Sequence, residues 1–184
     1  MAKYNIYISG VCTSKTSGGF GCVATKEGKM VGEENGGTDK DATGNRMALW
    51  AVLTSLRMFP DKSEITICTD EEYAVKASLN INKRACNLDI LNLIDIERAR
   101  MKKVDYRWLK DCEENEKKPQ EYCTSLALKA INNKNFINIA NYFPEKCVQP
   151  DSVEEEKEEQ ERRNKINELI DNIQKELFEL KKII

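Results

Sequence analysis

The most restrictive feature of this sequence is the segment Asp41–Phe59, read with the apolar runs on either side of it. Thr43-Gly44-Asn45 is a polar lead-in. From there Met47, Trp50, Ala51, Leu53 and Thr54 recur at helical spacing until Pro60 closes the helix. Upstream, Lys3–Ser9 sets Tyr4, Ile6 and Ile8 against Asn5, Tyr7 and Ser9, the two-residue period of a strand, and runs into Ser9-Gly10. Downstream, Glu64–Thr69 is another strand, and it runs into Asp70. A helix with an apolar face between two such strands predicts an α/β domain with helices packed on a sheet.

The rest of the first two thirds completes that pattern. Val11–Gly19 reads as a polar loop, and Phe20–Thr25 and Met30–Glu34 as two strands joined by a turn at Glu27-Gly28-Lys29. Gly36–Lys40 reads as a loop. After Asp70 come a short helix (Glu71–Leu79), a polar connection (Asn80–Arg84) and a helix (Leu88–Met101). A strand follows at Val104–Leu109, then a charged loop (Lys110–Pro119) and a final helix (Gln120–Asn132). The order β-β-β-α-β-α-α-β-α predicts a mixed five-stranded sheet flanked by helices.

In that order the motifs resemble the ribonuclease H family. They are Ser9-Gly10 with Gly18-Gly19-Phe20-Gly21, then Thr43-Gly44-Asn45-Arg46-Met47, Thr69-Asp70-Glu71-Glu72-Tyr73, and Val104-Asp105-Tyr106-Arg107-Trp108-Leu109-Lys110. The resemblance covers about residues 3–133. It implies phosphodiester hydrolysis with two divalent ions, held by carboxylates at four positions. Here those positions hold Ser9, Ala48, Asp70 and Thr124, so one carboxylate remains. The family's histidine after the last strand falls near Cys112, and the chain has no histidine. One aspartate with hydroxyls cannot balance two dications. The expectation is a catalytically inactive binding or scaffold protein with no metal or other cofactor. One alternative is an active nuclease rewired through Glu113, Glu114, Glu116 or Glu121. Another is a protein-only interaction module. Asp70 is expected to cap the helix after its strand, and Thr43 the long helix.

The net charge of −2 gives no global attraction for nucleic acid. Locally, Lys83, Arg84, Lys102 and Lys103, with Arg98, Arg100 and Arg107, form a modest basic patch around Tyr106 and Trp108. With Thr43 and Asn45, which the resemblance places at the substrate backbone, Lys83, Arg84, Lys102 and Lys103 are the candidate contacts to RNA or an RNA/DNA hybrid. Seven cysteines stand singly at 12, 22, 68, 86, 112, 123 and 147 without a Cys-x-x-Cys pair. They read as reduced, mostly buried thiols of a cytoplasmic protein. Neither a membrane-length apolar run nor a signal peptide is visible, so no membrane partner is expected.

The domain boundaries expected are 1–133 for the folded domain, 134–150 for a linker or strap, and 151–184 for an acidic helix with a coiled coil. The last segment holds eleven acids against seven bases, which leaves the remainder of the chain at +2. Within it, Ile166, Ile170, Ile173, Leu177, Leu180 and Ile184 keep a 4-3-4-3-4 spacing. That is an a/d seam, with Ile170, Leu177 and Ile184 at a. A lone helix of about 19 residues is marginal in water. Burying each seam residue is worth roughly 1.5–3 kcal/mol, which calls for a partner surface: a second copy, another protein, or the chain's own domain. Light scattering tests this directly. The full chain should have a higher mass per particle than a version ending at Pro150. If both are monomers, self-association fails. An Ile173→Asp change that lowers thermal stability without altering mass would then assign the seam to the chain's own domain.

Overall fold

The structure, a computed structural model, describes residues 3–81, 86–110 and 114–137. Lys83 and Arg84, Cys112, Glu113, and the seam residues Ile166, Ile170, Ile173, Leu177, Leu180 and Ile184 lie outside the described residues. The elements are β1 (Lys3–Ser14), β2 (Ser17–Lys26), β3 (Lys29–Thr38), α1 (Gly44–Arg57), β4 (Glu64–Thr69), α2 (Glu72–Ser78), α3 (Leu88–Ala99), β5 (Lys103–Trp108) and α4 (Glu114–Asn132). They build one five-stranded sheet in the order β3-β2-β1-β4-β5. The first three strands form an antiparallel meander, while β4 runs parallel to β1 and β5 parallel to β4. This is the mixed sheet that the alternation of strand and helix patterns predicts.

Two expected loops are strand. β1 continues to Ser14 and β2 begins at Ser17, because Gly10, Val11 and Cys12 pair with Phe20, Gly19 and Gly18. β3 likewise runs on through Gly36 and Gly37, which pair with Phe20 and Gly19. The glycines that made these stretches look like loops serve close packing instead. A Cβ on Gly21 would fall under 3.0 Å from Cys123 O, and one on Gly19 equally close to Ala127 O, so α4 lies backbone-to-backbone on β2. Gly10 does the same for α1, meeting the backbone at Gly44, Met47 and Ala48.

Helix α1 is buried around nearly its whole circumference, including Met47, Ala48, Leu49, Trp50, Ala51, Val52 and Leu53. It packs on β1 and β2 and is covered by α2 and α3, which explains its apolar content beyond a single stripe. Thr43 caps it, its hydroxyl accepting from the Arg46 N–H at 3.1 Å. Arg100 closes the other end by donating to Leu56 O at 2.6 Å and Phe59 O at 2.7 Å, while its Nε pairs with Glu97 at 2.5 Å. Across the sheet, Tyr7, Val23, Cys68, Leu109, Cys123 and Leu126 form a second apolar cluster under α4.

Helix α4 starts six residues before the expected Gln120, and Pro119 lies within it. The proline falls in the second turn, where it gives up a single intrahelical bond, and an Arg107–Glu116 ion pair ties that part of the helix to β5. Beyond α4, Gly37 N donates to Asn135 O at 2.9 Å and Ile137 N to Gly37 O at 2.8 Å, so residues 135–137 add to the β3 edge. Cys22, Cys68 and Cys123 are buried, and burial pushes the Cys22 thiol up to about 12 and the other two upward, so they remain neutral thiols. Cys12 and Cys86 are exposed, contrary to the expectation of burial. Among the described residues no helix is long and apolar enough to cross a membrane.

Gly21→Ala should destabilise the protein by about 1–3 kcal/mol, since a methyl group there must push α4 away from β2. Gly44→Ala, at the helix start with nothing within 4 Å, should be neutral or mildly stabilising. Urea melts of the two variants beside the parent check the contrast.

Candidate functional site

The parallel register assembles the site. Tyr7 pairs with Cys68, so two residues on, Ser9 comes level with Asp70; on the other side Thr69 pairs with Trp108. Ser9, Asp70 and Trp108 therefore share one end of the sheet, and the Trp108 indole N–H donates to Asp70 O at 3.1 Å. α4 crosses here with Gln120 and Thr124 one turn apart on the face toward β1.

The polar groups satisfy one another. Ser9 Oγ lies 3.0 Å from Thr124 Oγ1, and Thr124 Oγ1 lies 3.3 Å from Gln120 O. A carbonyl can only accept, so the Thr124 proton goes to Gln120 O, and Ser9 must donate to Thr124. The Gln120 amide Nε2 donates to Ile8 O at 3.0 Å and to Asp70 Oδ1 at 2.6 Å. Turned over, the amide would set its oxygen against two acceptors, so the geometry fixes which end is the donor. Gln120 is 6 % exposed, and its Oε1 is buried without a hydrogen-bond partner among the described residues. Ala48 is fully buried where α1 crosses Gly10.

Asp70 does not cap α2, contrary to expectation. The N-cap position is Glu71, which makes no side-chain cap bond, and Thr69 Oγ1 accepts the Glu71 N–H at 3.1 Å. The reason is position. Asp70 ends a parallel strand beside β1 and α4, where the Gln120 amide is the nearer donor. Burial, and then the neighbouring Asp70 charge, raise the Glu71 carboxyl above its ordinary range.

This donor set does not fit a pair of dications. Ala48 offers no ligand atom, the Ser9 and Thr124 hydroxyls are bonded to each other, and an amide already holds one oxygen of the single carboxylate. Nor do the nearby glutamates converge on Asp70: Glu116 is turned to Arg107, and Glu121 is exposed. Among the described residues no group of three or more His, Cys, Asp or Glu side chains gathers to hold a metal.

Among the described residues, the cations of the expected basic patch are paired with acids, and Lys102 and Lys103 lie away from this site. Lys102 and Lys103 sit at the start of β5, where Glu64 pairs with Lys103, five residues below Trp108. At the rise of a strand that is roughly 16 Å from the Asp70 end. Lys102 pairs with Glu64 and Lys103 with Asp105, while Arg98 pairs with Asp95. Arg100 is held by Glu97 and Asp61. Thr43 and Asn45 are exposed on the first turn of α1, which crosses β1 at Gly10. Arg46 makes a two-pronged bond to Asp89, at 3.0 and 2.5 Å, and a third to Asn87 at 3.2 Å, tying α1 to α3. Sequence reasoning missed Gln120; its i, i+4 spacing to Thr124 is the signal that could have found it.

The RNase H family model matches residues 1–138. The chain belongs to the ribonuclease H family. A ribonuclease H of Francisella philomiragia is 38% identical over 68 residues, 36% of this chain and 43% of that protein. One from Francisella tularensis subsp. novicida matches to the same extent. The chain thus spans less than half the length of these relatives. Family folds superpose over more of the chain. An N-terminal RNase H domain from Mycobacterium tuberculosis has a TM-score of 0.61 at 15% identity, covering 72% of this chain and 96% of that one. The compost-derived LC11-RNase H1, solved in complex with an RNA/DNA hybrid, has a TM-score of 0.59 at 20% identity, covering 71% and 98%.

Against this family background, the Gln120 bridge is a structural brace. Gln120→Leu keeps the volume but leaves Ile8 O without that donor and Asp70 without its amide. A loss of about 1–3 kcal/mol in a denaturant melt is expected. Asp70→Asn should cost less, because the amide can still accept through its own oxygen.

Proposed function

We propose that this chain is a catalytically silent ribonuclease H-like protein that serves as a binding or scaffold subunit of a nucleoprotein assembly. The observation that carries the proposal is a cluster with a single carboxylate. Three of the four carboxylate positions hold Ser9, Ala48 and Thr124, and the fourth, Asp70, is braced by Gln120. Hydrolysis through two ions needs several charged oxygens converging on them, and this site offers one. Kinship with the ribonuclease H family, one structural neighbour of which is solved in complex with an RNA/DNA hybrid, supports nucleic acid as the ligand class. The heptad seam at Ile166–Ile184 supports joining to a second copy or another protein.

Incubated with magnesium or manganese, the purified full chain should leave a labelled RNA/DNA hybrid intact. Cleavage that follows the protein through purification and vanishes in Asp70→Asn would sink the silent reading in favour of a rewired nuclease. Gel shifts of the same hybrid across a salt series address binding. A mobility shift that weakens as salt rises is expected. No shift at low salt would leave a protein-only module.

A further inference from the structure

We propose that Trp108, with Lys110, forms a stacking site for an unpaired nucleobase at the rim of the silent site. The inference rests on the nucleic-acid part of the proposed function and goes beyond it, since it names the strand state bound and the residues that hold it.

Trp108 ends β5 beside Asp70 and is 40% exposed, an unusual exposure for a side chain of its size. Its indole N–H is tied to Asp70 O at 3.1 Å. That bond anchors the polar edge of the ring and stops it from turning freely, so what remains to offer a ligand is carbon π-surface. Lys110 Nζ stands 5.6 Å from the ring centroid. A cation over an exposed indole is held weakly, so a flat ring can displace it, and the freed ammonium is then placed for the phosphate next to that base.

Among the described residues Lys110 makes no ion pair, whereas Lys102 and Lys103 at the far end of the sheet are each paired with an acid. An exposed aromatic platform with an unpaired cation beside it has the two parts by which proteins hold single strands without reading sequence. A base inside a duplex is already stacked on both faces. The ring therefore selects a single strand over a blunt hybrid.

The protein carries its own reporter. It has two tryptophans, and the other, Trp50, is 1% exposed. Intrinsic emission of the full chain is titrated with a single-stranded oligonucleotide of about 12 nucleotides and, separately, with the blunt hybrid of the same sequence. The single strand should quench emission and the hybrid should not. Trp108→Ala should lose about tenfold in affinity for the single strand, and Trp108→Phe, which keeps a π-face, should stay within about threefold. Lys110→Ala should lower the salt slope of log K by about 0.7 while the quench persists. Binding without a quench, an equal quench by the hybrid, or parent-like affinity in Trp108→Ala overturns the stacking site and leaves the nucleic-acid reading standing. No binding of either ligand by the parent overturns both. Should Trp108→Ala fail to melt cooperatively, the quench in the parent and the Trp108→Phe affinity decide.

Discussion

The close approach of two helices to the sheet is the constraint on which the rest of the molecule depends. At Gly10 the backbone of α1 meets β1, and at Gly19 and Gly21 the backbone of α4 meets β2. Side chains at those points would hold the helices off by more than a methyl group's width, and protein interiors do not tolerate such gaps. Because α4 lies so close, Cys123 Sγ reaches Tyr7 O at 3.1 Å, Thr124 reaches Ser9, and Gln120 reaches Ile8 O. The polar cluster at the sheet end is a consequence of glycines placed one strand away.

The same closeness explains why a site with one carboxylate suits this fold. Carboxylates at the positions of Ser9 and Thr124 would face each other across 3.0 Å. Asp70 would stand beside them, an arrangement whose mutual repulsion bound cations or a shared proton must offset. Hydroxyls there need no ion, and the Gln120 amide gives Asp70 a donor from within the chain. A site that demands metal carries strain when the metal is absent, whereas internal hydrogen bonds make no such demand. The surface follows a similar logic. Most described cations of the α3–β5 region are matched to acids, so long-range attraction for phosphate is weak there.

Much of the fold was legible in the sequence, because hydrophobic period and breakers carry it. The alternation of Tyr4, Ile6 and Ile8, the helical recurrence from Met47 to Leu53, and the run to Asp70 fix element type and order, and order with short connections leaves few topologies. What misled was glycine. Gly18-Gly19 and Gly36-Gly37 have the composition of loops, yet they are strand, since what they answer to is a helix packed above them and not a turn. Pro119 misled in the same way, because a proline near a helix start resembles a boundary.

The sequence by itself determined which side chains are available: Ser9, Ala48 and Thr124 are not carboxylates in any conformation, and that is a property of composition. Only the tertiary structure decided which groups meet. Ile8, Asp70 and Gln120 are far apart along the chain, and their meeting depends on a parallel strand register and a helix crossing that no local pattern encodes. The fate of the basic residues was decided there too. Lys102 and Lys103 look adjacent to Trp108 in sequence, but a strand carries them roughly 16 Å away, toward the acids that neutralise them.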